Sequence, residues 1–190
     1  MANILDGFKG RLKSGGVRSN QFEVHLTFPT WVSNRSQASD DGLFLCNSAS
    51  LPKQTIGTTE MKFRGRALQL AGDSRTFEPW TATFVNDDFA IYQAFEIWQE
   101  GINSMETNDQ IHIRPDDYKA TVDIRQLDRS GDPIKIFKLH GAFPSDIASI
   151  DLSFDNDDTI QDFDITWNYD YFTTTFDTAQ VVDAGSHGGA

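Results

Sequence analysis

One cysteine, Cys46, stands among 190 residues, so an internal disulfide is excluded. No apolar run approaches the length of a membrane span. The opening segment MANILDGFKGRLKSGG lacks the apolar core of a secretory signal and reads as an arm or short helix. Catalytic signatures are missing too: there is no Gly-x-Ser-x-Gly elbow, no glycine-rich phosphate cradle and no paired histidines at metal-ligand spacing. His25, His112, His140 and His187 are scattered and read as solvated or capped. Cations are scarce, with 16 Lys and Arg against 28 Asp and Glu, a net charge of −12. Affinity for phosphate comes mainly from Lys and Arg, so tight DNA binding is disfavoured.

Hydrophobic residues make up 38 % of the chain and aromatics 12 %, with 15 Phe, which suits one folded domain with a real core. Cys46 sits in the apolar run Leu43–Cys46 and reads as a buried structural thiol. The charge is uneven: residues 1–75 hold ten bases against six acids, a balance of +4, and residues 76–190 hold six against twenty-two, a balance of −16. Such asymmetry marks complementary surfaces or an interaction tail.

The clearest pattern lies from Ile160 to Tyr171. Gln161, Phe163, Ile165, Trp167, Tyr169 and Tyr171 alternate with Asp162, Asp164, Thr166, Asn168 and Asp170. Successive strand side chains point to opposite sides, so one long strand with an aromatic face and an unpartnered acidic face is expected. Strands are also expected over Asn20–Phe28, Leu43–Ala49, Phe77–Val85, Lys119–Leu127, Ile134–His140 and the alternating Ile150, Leu152 and Phe154. Lys53–Leu70 reads as a long hairpin turning near Gly57 or Gly65, and Thr30–Asp41 as a surface loop. Phe143-Pro144-Ser145-Asp146 reads as a chain break, and Asp128–Pro133 as a turn.

One strong helix is expected after Asn86-Asp87-Asp88, which supply N-cap candidates. It carries Ile91, Phe95, Trp98 and Ile102 at helical spacing, and Gly101 is its expected terminator. Asp155–Thr159 superficially matches the start of a calcium loop, but Ile160 replaces the required glycine and Thr166 the closing glutamate, so an acidic turn is the reading. Asp116-Asp117 follows Pro115 and reads as a turn rather than a catalytic pair.

Two blocks carry a resemblance. The first is Ala71, Gly72, Asp73, then Arg75, Thr76, Phe77, then Trp80, Thr81, Thr83, then Asn86 and Asp87. The second is Ile160, Gln161, Phe163, Thr166, Asp170 and Tyr171. Together they resemble the tail tube proteins of contractile-tailed, T-even-like phages, with looser similarity over residues 20–172. Ser74, the Thr30–Asp41 segment and the end after Phe172 depart from that pattern.

The resemblance implies a mainly β fold, a small β-barrel or sandwich with one flanking helix. It divides the chain into an N-terminal arm (1–19), the tube domain (20–172) and a flexible C-terminal tail (173–190). It implies a structural virion protein, without catalysis or cofactor, whose hexameric rings stack into a tube assembled in the host cytoplasm. Sheath, baseplate and tail-terminator proteins are the implied partners, and DNA passes through the lumen unbound. Asp162, Asp164 and Asp170, with Asp123, are the expected lumen residues, since carboxylates repel phosphate. Lys53, Lys62, Arg64 and Arg66 on the hairpin are expected at the ring-to-ring contact. The alternative within the same superfamily is the inner tube of a contractile protein-injection system. From another class, a carbohydrate-binding sandwich would use Trp31 or Trp80 as its platform.

Overall fold

The computed structural model describes residues 17–155 and 157–176. The expected arm before residue 17, the flexible end after 176 and His187 lie outside them. In chain order the elements are β1 (Phe22–Leu26), α1 (Arg35–Leu45), β2 (Cys46–Ala49), β3 (Gln54–Phe63), β4 (Arg66–Phe77) and β5 (Trp80–Val85). Then come α2 (Ala90–Ile102), α3 (Pro115–Tyr118), β6 (Ala120–Leu127), β7 (Pro133–Ile147), β8 (Asp162–Asn168) and β9 (Tyr171–Phe176).

The fold is mainly β, as expected. Seven strands share a sheet in the order β1-β6-β7-β8-β5-β2, with β9 on β7, and β3–β4 form a separate ribbon. The path is open, since β1 and β2 are its two ends and do not pair; this sheet is not a closed barrel. Two helices of more than two turns flank it, α1 as well as the expected α2.

Strand β7 organises the sheet. Lys135–His140 pair with β9 and Phe143–Ile147 with β8, so β8 and β9 run along β7 as one bent strand. At the bend Gly141 has φ 66°, and the Asp170 amide donates to the His140 carbonyl at 2.9 Å. The bend changes the side-chain phase. Phe163, Ile165 and Trp167 are buried, but Tyr171 is exposed and Phe172 turns inward against Phe77 and Phe137. The expected alternation to Tyr171 fails there: β7 bulges against β6 beside Gly141, and β9 follows β7 with unchanged pairing, so the side chains of both strands change face together. The expected break at Phe143–Asp146 is strand, with a register shift beside Pro144 that accommodates its missing donor.

The core packs Trp80, Phe84, Phe163 and Trp167 of the sheet against Phe95 and Trp98 of α2, all at most 3 % exposed. Trp80 Nε1 donates to the Ser50 carbonyl at 2.6 Å and Trp98 Nε1 to that of Tyr118 at 2.8 Å. Trp167 Nε1 is buried with no acceptor among the described residues.

Several local expectations are corrected. Helix α1 occupies the segment expected to be a loop and the start of a strand. It buries only Ala38 and Gly42, so there was no apolar stripe to read; Gly42 lets it approach Leu26. Phe77–Val85 is interrupted at Glu78-Pro79. Gly101 lies inside α2 rather than ending it, because the ring of Trp31 lies where a Cβ would sit. At the other end of α2, Phe89 takes the N-cap position with φ 62°, while Asn86 Oδ1 accepts from Phe89 N and Asp88 Oδ1 from Ala90 N. Ile150, Leu152 and Phe154 form no strand, and Leu152 and Phe154 are fully exposed. The final strand runs to Phe176, past the expected boundary at Phe172.

Cys46 opens β2, its Sγ donating to the Ser48 carbonyl at 3.6 Å. Burial pushes its thiol from 9.0 to about 12. Because the folded value is raised, this contribution to stability is complete below the unfolded thiol's range and is lost as pH rises toward the folded value. The thiolate is the nucleophile, so iodoacetamide at pH 8.5 should label the native protein about a hundredfold more slowly than the unfolded chain. Equal labelling rates by mass spectrometry would show an open, reactive thiol.

Candidate functional site

The sheet face away from α2 is built from short polar side chains. On one rung the Ser48 hydroxyl donates to Thr83 at 3.0 Å, and Thr83 donates to Asp164 Oδ1 at 2.6 Å. On the next rung Thr81 and Thr166 share a hydroxyl contact of 3.1 Å, and Asp146 lies opposite Thr166 on β7. Asp162 is exposed one step further along β8. Strands β2, β5 and β8 contain no lysine or arginine. Asp162 and Asp164 are therefore carboxylates in a field of hydroxyls, with no cation beside them among the described residues.

The other two candidate aspartates differ. Asp170 is bound by Lys119, whose Nζ reaches both oxygens at 2.7 and 2.9 Å. Its carboxylate also covers Gly141, so it fastens the bend of β7. Asp123 on β6 has Lys138 Nζ at 3.6 Å and His25 opposite in register. The unpartnered acidic face expected from alternation thus reduces to Asp162 and Asp164. Asp146 joins them; it lies in the segment misread as a break.

The β3–β4 ribbon projects from the sheet with nearly every side chain exposed. Arg64 (φ 47°) and Gly65 (φ 82°) make a two-residue turn of the kind whose twist matches a hairpin, which chooses Gly65 over Gly57. Paired residues share a face. Met61 lies opposite Leu68 and Thr59 opposite Leu70, giving an apolar row continued by Phe63. Glu60, Lys62 and Gln69 take the other face. Met61, Phe63 and Leu68 are all more than half exposed. Sequence reasoning missed this row because interleaved bases drew attention to charge; the period of two at Met61–Phe63 and Leu68–Leu70 was the available signal.

Among the stacking candidates, Lys53 is tied within the chain to Glu78 at 2.7 Å, at the ribbon's base. Lys62 has Glu60 at 3.9 Å. Arg64 and Arg66 have no carboxylate partner among the described residues. A lone two-stranded ribbon is marginal in water, and this one leaves its apolar row uncovered. The sugar-platform alternative loses its residues: Trp80 is buried, and the ring of Trp31 is covered by His112 at 4.3 Å.

The chain thus presents a polar, carboxylate-bearing sheet face and a projecting amphipathic ribbon. Residues 17–175 match the family described as phage tail tube protein. The chain belongs to that family. It is 29 % identical over 183 residues to the tail tube protein of Serratia phage KSP90, covering 95 % of this chain and 100 % of the relative. It is 28 % identical over 172 residues to tail tube protein gp19 of Enterobacteria phage T4, covering 89 % and 99 %. In fold it is similar to a chain of the tube-terminating cap of the anti-feeding prophage, with TM-score 0.55, 16 % identity and coverage of 85 % and 91 %. It is also similar to a chain of the PVC extracellular contractile injection system in its extended sheath–tube complex, with TM-score 0.54, 15 % identity and coverage of 88 % and 97 %.

The tail tube match includes nearly all of β9. The first motif block also gains a physical account. Gly72 crosses Gly57 where the ribbon shifts register, and Asn86 locks the end of β5 to Gln161 at 2.6 Å before α2 begins.

Proposed function

We propose that this chain forms the inner tube of a contractile phage tail, as hexameric rings stacked inside a sheath, between a baseplate and a tail terminator. The observation that carries this reading is near full-length similarity to tail tube proteins of phages. The role is structural, with no cofactor and no reaction. The open sheet suits it: the free edges of β1 and β2 pair with neighbouring copies, which hides edges that would otherwise aggregate and joins the sheets into a continuous inner barrel. Asp162 and Asp164 line the lumen and repel the DNA backbone, so the cargo slides without sticking. Asp170 and Asp123, already paired with lysines, contribute little charge there. The β3–β4 ribbon, with Lys62, Arg64 and Arg66, makes the ring-to-ring contact, and Lys53 braces its base.

The protein-injection alternative shares the fold, but the sequence similarity of 28–29 % is to phage proteins. Electron microscopy of purified protein, alone at high concentration and with cognate baseplate, tests the assembly. Hollow stacked rings are expected. A uniform monomer under both conditions would sink the proposal.

A further inference from the structure

The β3–β4 ribbon is two ladders with a break between them. The inner ladder runs from Gln54 opposite Phe77 to Ile56 opposite Arg75. The outer ladder runs from Thr58 opposite Ala71 to Phe63 opposite Arg66. At the break the single residue Gly57 stands against Gly72, Asp73 and Ser74, so the two ladders are out of register. Both strands carry glycine at that level. A Cβ on Gly72 would lie 2.9 Å from the Gly57 carbonyl oxygen, and one on Gly57 would meet the Ser74 hydroxyl. The two backbones approach closely there because neither carries a side chain.

The inner and outer pieces are held differently. The inner piece is fastened to the sheet. Phe77 packs against Tyr169 and Phe172, with ring centroids 6.0 and 5.7 Å away, and Lys53 Nζ donates to Glu78 Oε1 at 2.7 Å. The outer piece is exposed at every residue from Thr58 to Ala71. Its side-chain ties run from Gln69 and Lys62 to Glu60, all within the piece. Among the described residues no side-chain hydrogen bond or ion pair joins it to the rest of the subunit.

We propose that Gly57 and Gly72, with the bulged Asp73 and Ser74, form a joint about which the outer ribbon swings as a unit in the unassembled subunit. A two-stranded ribbon resists bending through its cross-strand hydrogen bonds and side-chain pairs, and the ladder lacks both at this one level. Beyond it the outer ladder is continuous for six residues of β3, roughly 20 Å. A swing of about 20° at the joint would carry the Arg64–Gly65 turn roughly 7 Å sideways. The apolar row of Met61, Phe63 and Leu68 thus has a fixed internal geometry and no fixed direction. Any contact that covers the row must also hold the joint, and that ordering cost weakens a first encounter between free subunits. The joint belongs to the single subunit and stands independently of the stacked-ring reading.

The test is a distance measurement on unassembled subunits by double electron–electron resonance, with Cys46→Ser removing the native thiol. One nitroxide sits on α2 at Glu96→Cys. The second sits on the outer ribbon at Ala67→Cys or on the inner ribbon at Thr76→Cys, all three positions being exposed. The outer distance distribution should be about twofold wider than the inner one or more, since only the outer piece lacks ties to the sheet. Deleting Gly72 and Asp73 sets Ser74 opposite Gly57 and closes the ladder without changing the face any side chain takes. The outer distribution should then narrow to the width of the inner one. If that variant does not fold, two glycines inserted between Gly72 and Asp73 serve instead, and should widen the outer distribution while leaving the inner one unchanged. An outer distribution as narrow as the inner one in the parent protein overturns the joint. So does a folded deletion variant that stays broad, which would spread the bending along the ribbon, or an insertion that changes neither width.

Discussion

Particles whose tubes carry Asp162→Lys and Asp164→Lys should assemble and then retain their DNA, with ejection slowed about tenfold or more at low salt. Both side chains point away from the core, so the change leaves Phe163, Ile165 and Trp167 in place. Asp164→Lys loses the hydrogen bond from Thr83, a stability cost of about 1 kcal/mol. What changes is the wall. A surface of hydroxyls and carboxylates gains a lysine pair in every subunit, and each added phosphate contact raises affinity and its salt dependence. Ejection should therefore recover as salt rises. Asp162→Asn with Asp164→Asn removes repulsion without adding attraction and should eject nearly as wild type does. Asp170 makes a poor probe of the same idea, since replacing it strands Lys119 and loosens the bend at Gly141. Rapid, salt-independent ejection from the assembled lysine tube would place Asp162 and Asp164 away from the channel.

The parts of this molecule that were legible in its sequence are those where one face is buried and the period is uninterrupted. Phe163, Ile165 and Trp167 declared β8, and Ile91, Phe95 and Trp98 declared α2, because burial demands a continuous apolar row at a fixed spacing. Features that break period were not legible. At the bend β7 and the β8–β9 chain change phase together around Gly141 and Asp170, so Tyr171 was placed inside and Phe172 was not. Helix α1 buries only small residues and left no stripe to detect. Pairing was invisible for a different reason. Lys119 lies 51 residues before Asp170, so no local pattern could separate that neutralised carboxylate from Asp162 and Asp164. The ribbon was legible as a hairpin but not as an apolar surface, because the interleaved bases Lys62, Arg64 and Arg66 masked the period of two at Met61–Phe63 and Leu68–Leu70.

Replacing Trp167 by alanine should give the largest loss of subunit stability, about 3–5 kcal/mol, because its ring is fully buried against Trp80, Phe84 and Phe95. Conservative changes test the cause. Trp167 Nε1 has no acceptor among the described residues, so Trp167→Phe removes an unsatisfied donor and costs only the volume of the smaller ring. Trp80→Phe removes similar volume and also strands the Ser50 carbonyl that Trp80 Nε1 serves at 2.6 Å, adding about 1–3 kcal/mol if that carbonyl stays dry. The expected order of loss is Trp167→Ala, then Trp80→Phe, then Trp167→Phe, read from urea denaturation of unassembled subunits. The consequence reaches the polar face, since Phe163, Ile165 and Trp167 hold the phase that points Asp162 and Asp164 away from the core, and a slip of one residue would reverse both sets. Trp167→Ala should therefore weaken the ladder between β5 and β8, seen as faster amide exchange at Thr81, Thr83 and Thr166, while Trp167→Phe leaves it protected. Equal exchange in the two variants would show that the ladder of Ser48, Thr83 and Asp164 fixes the strand without help from the core.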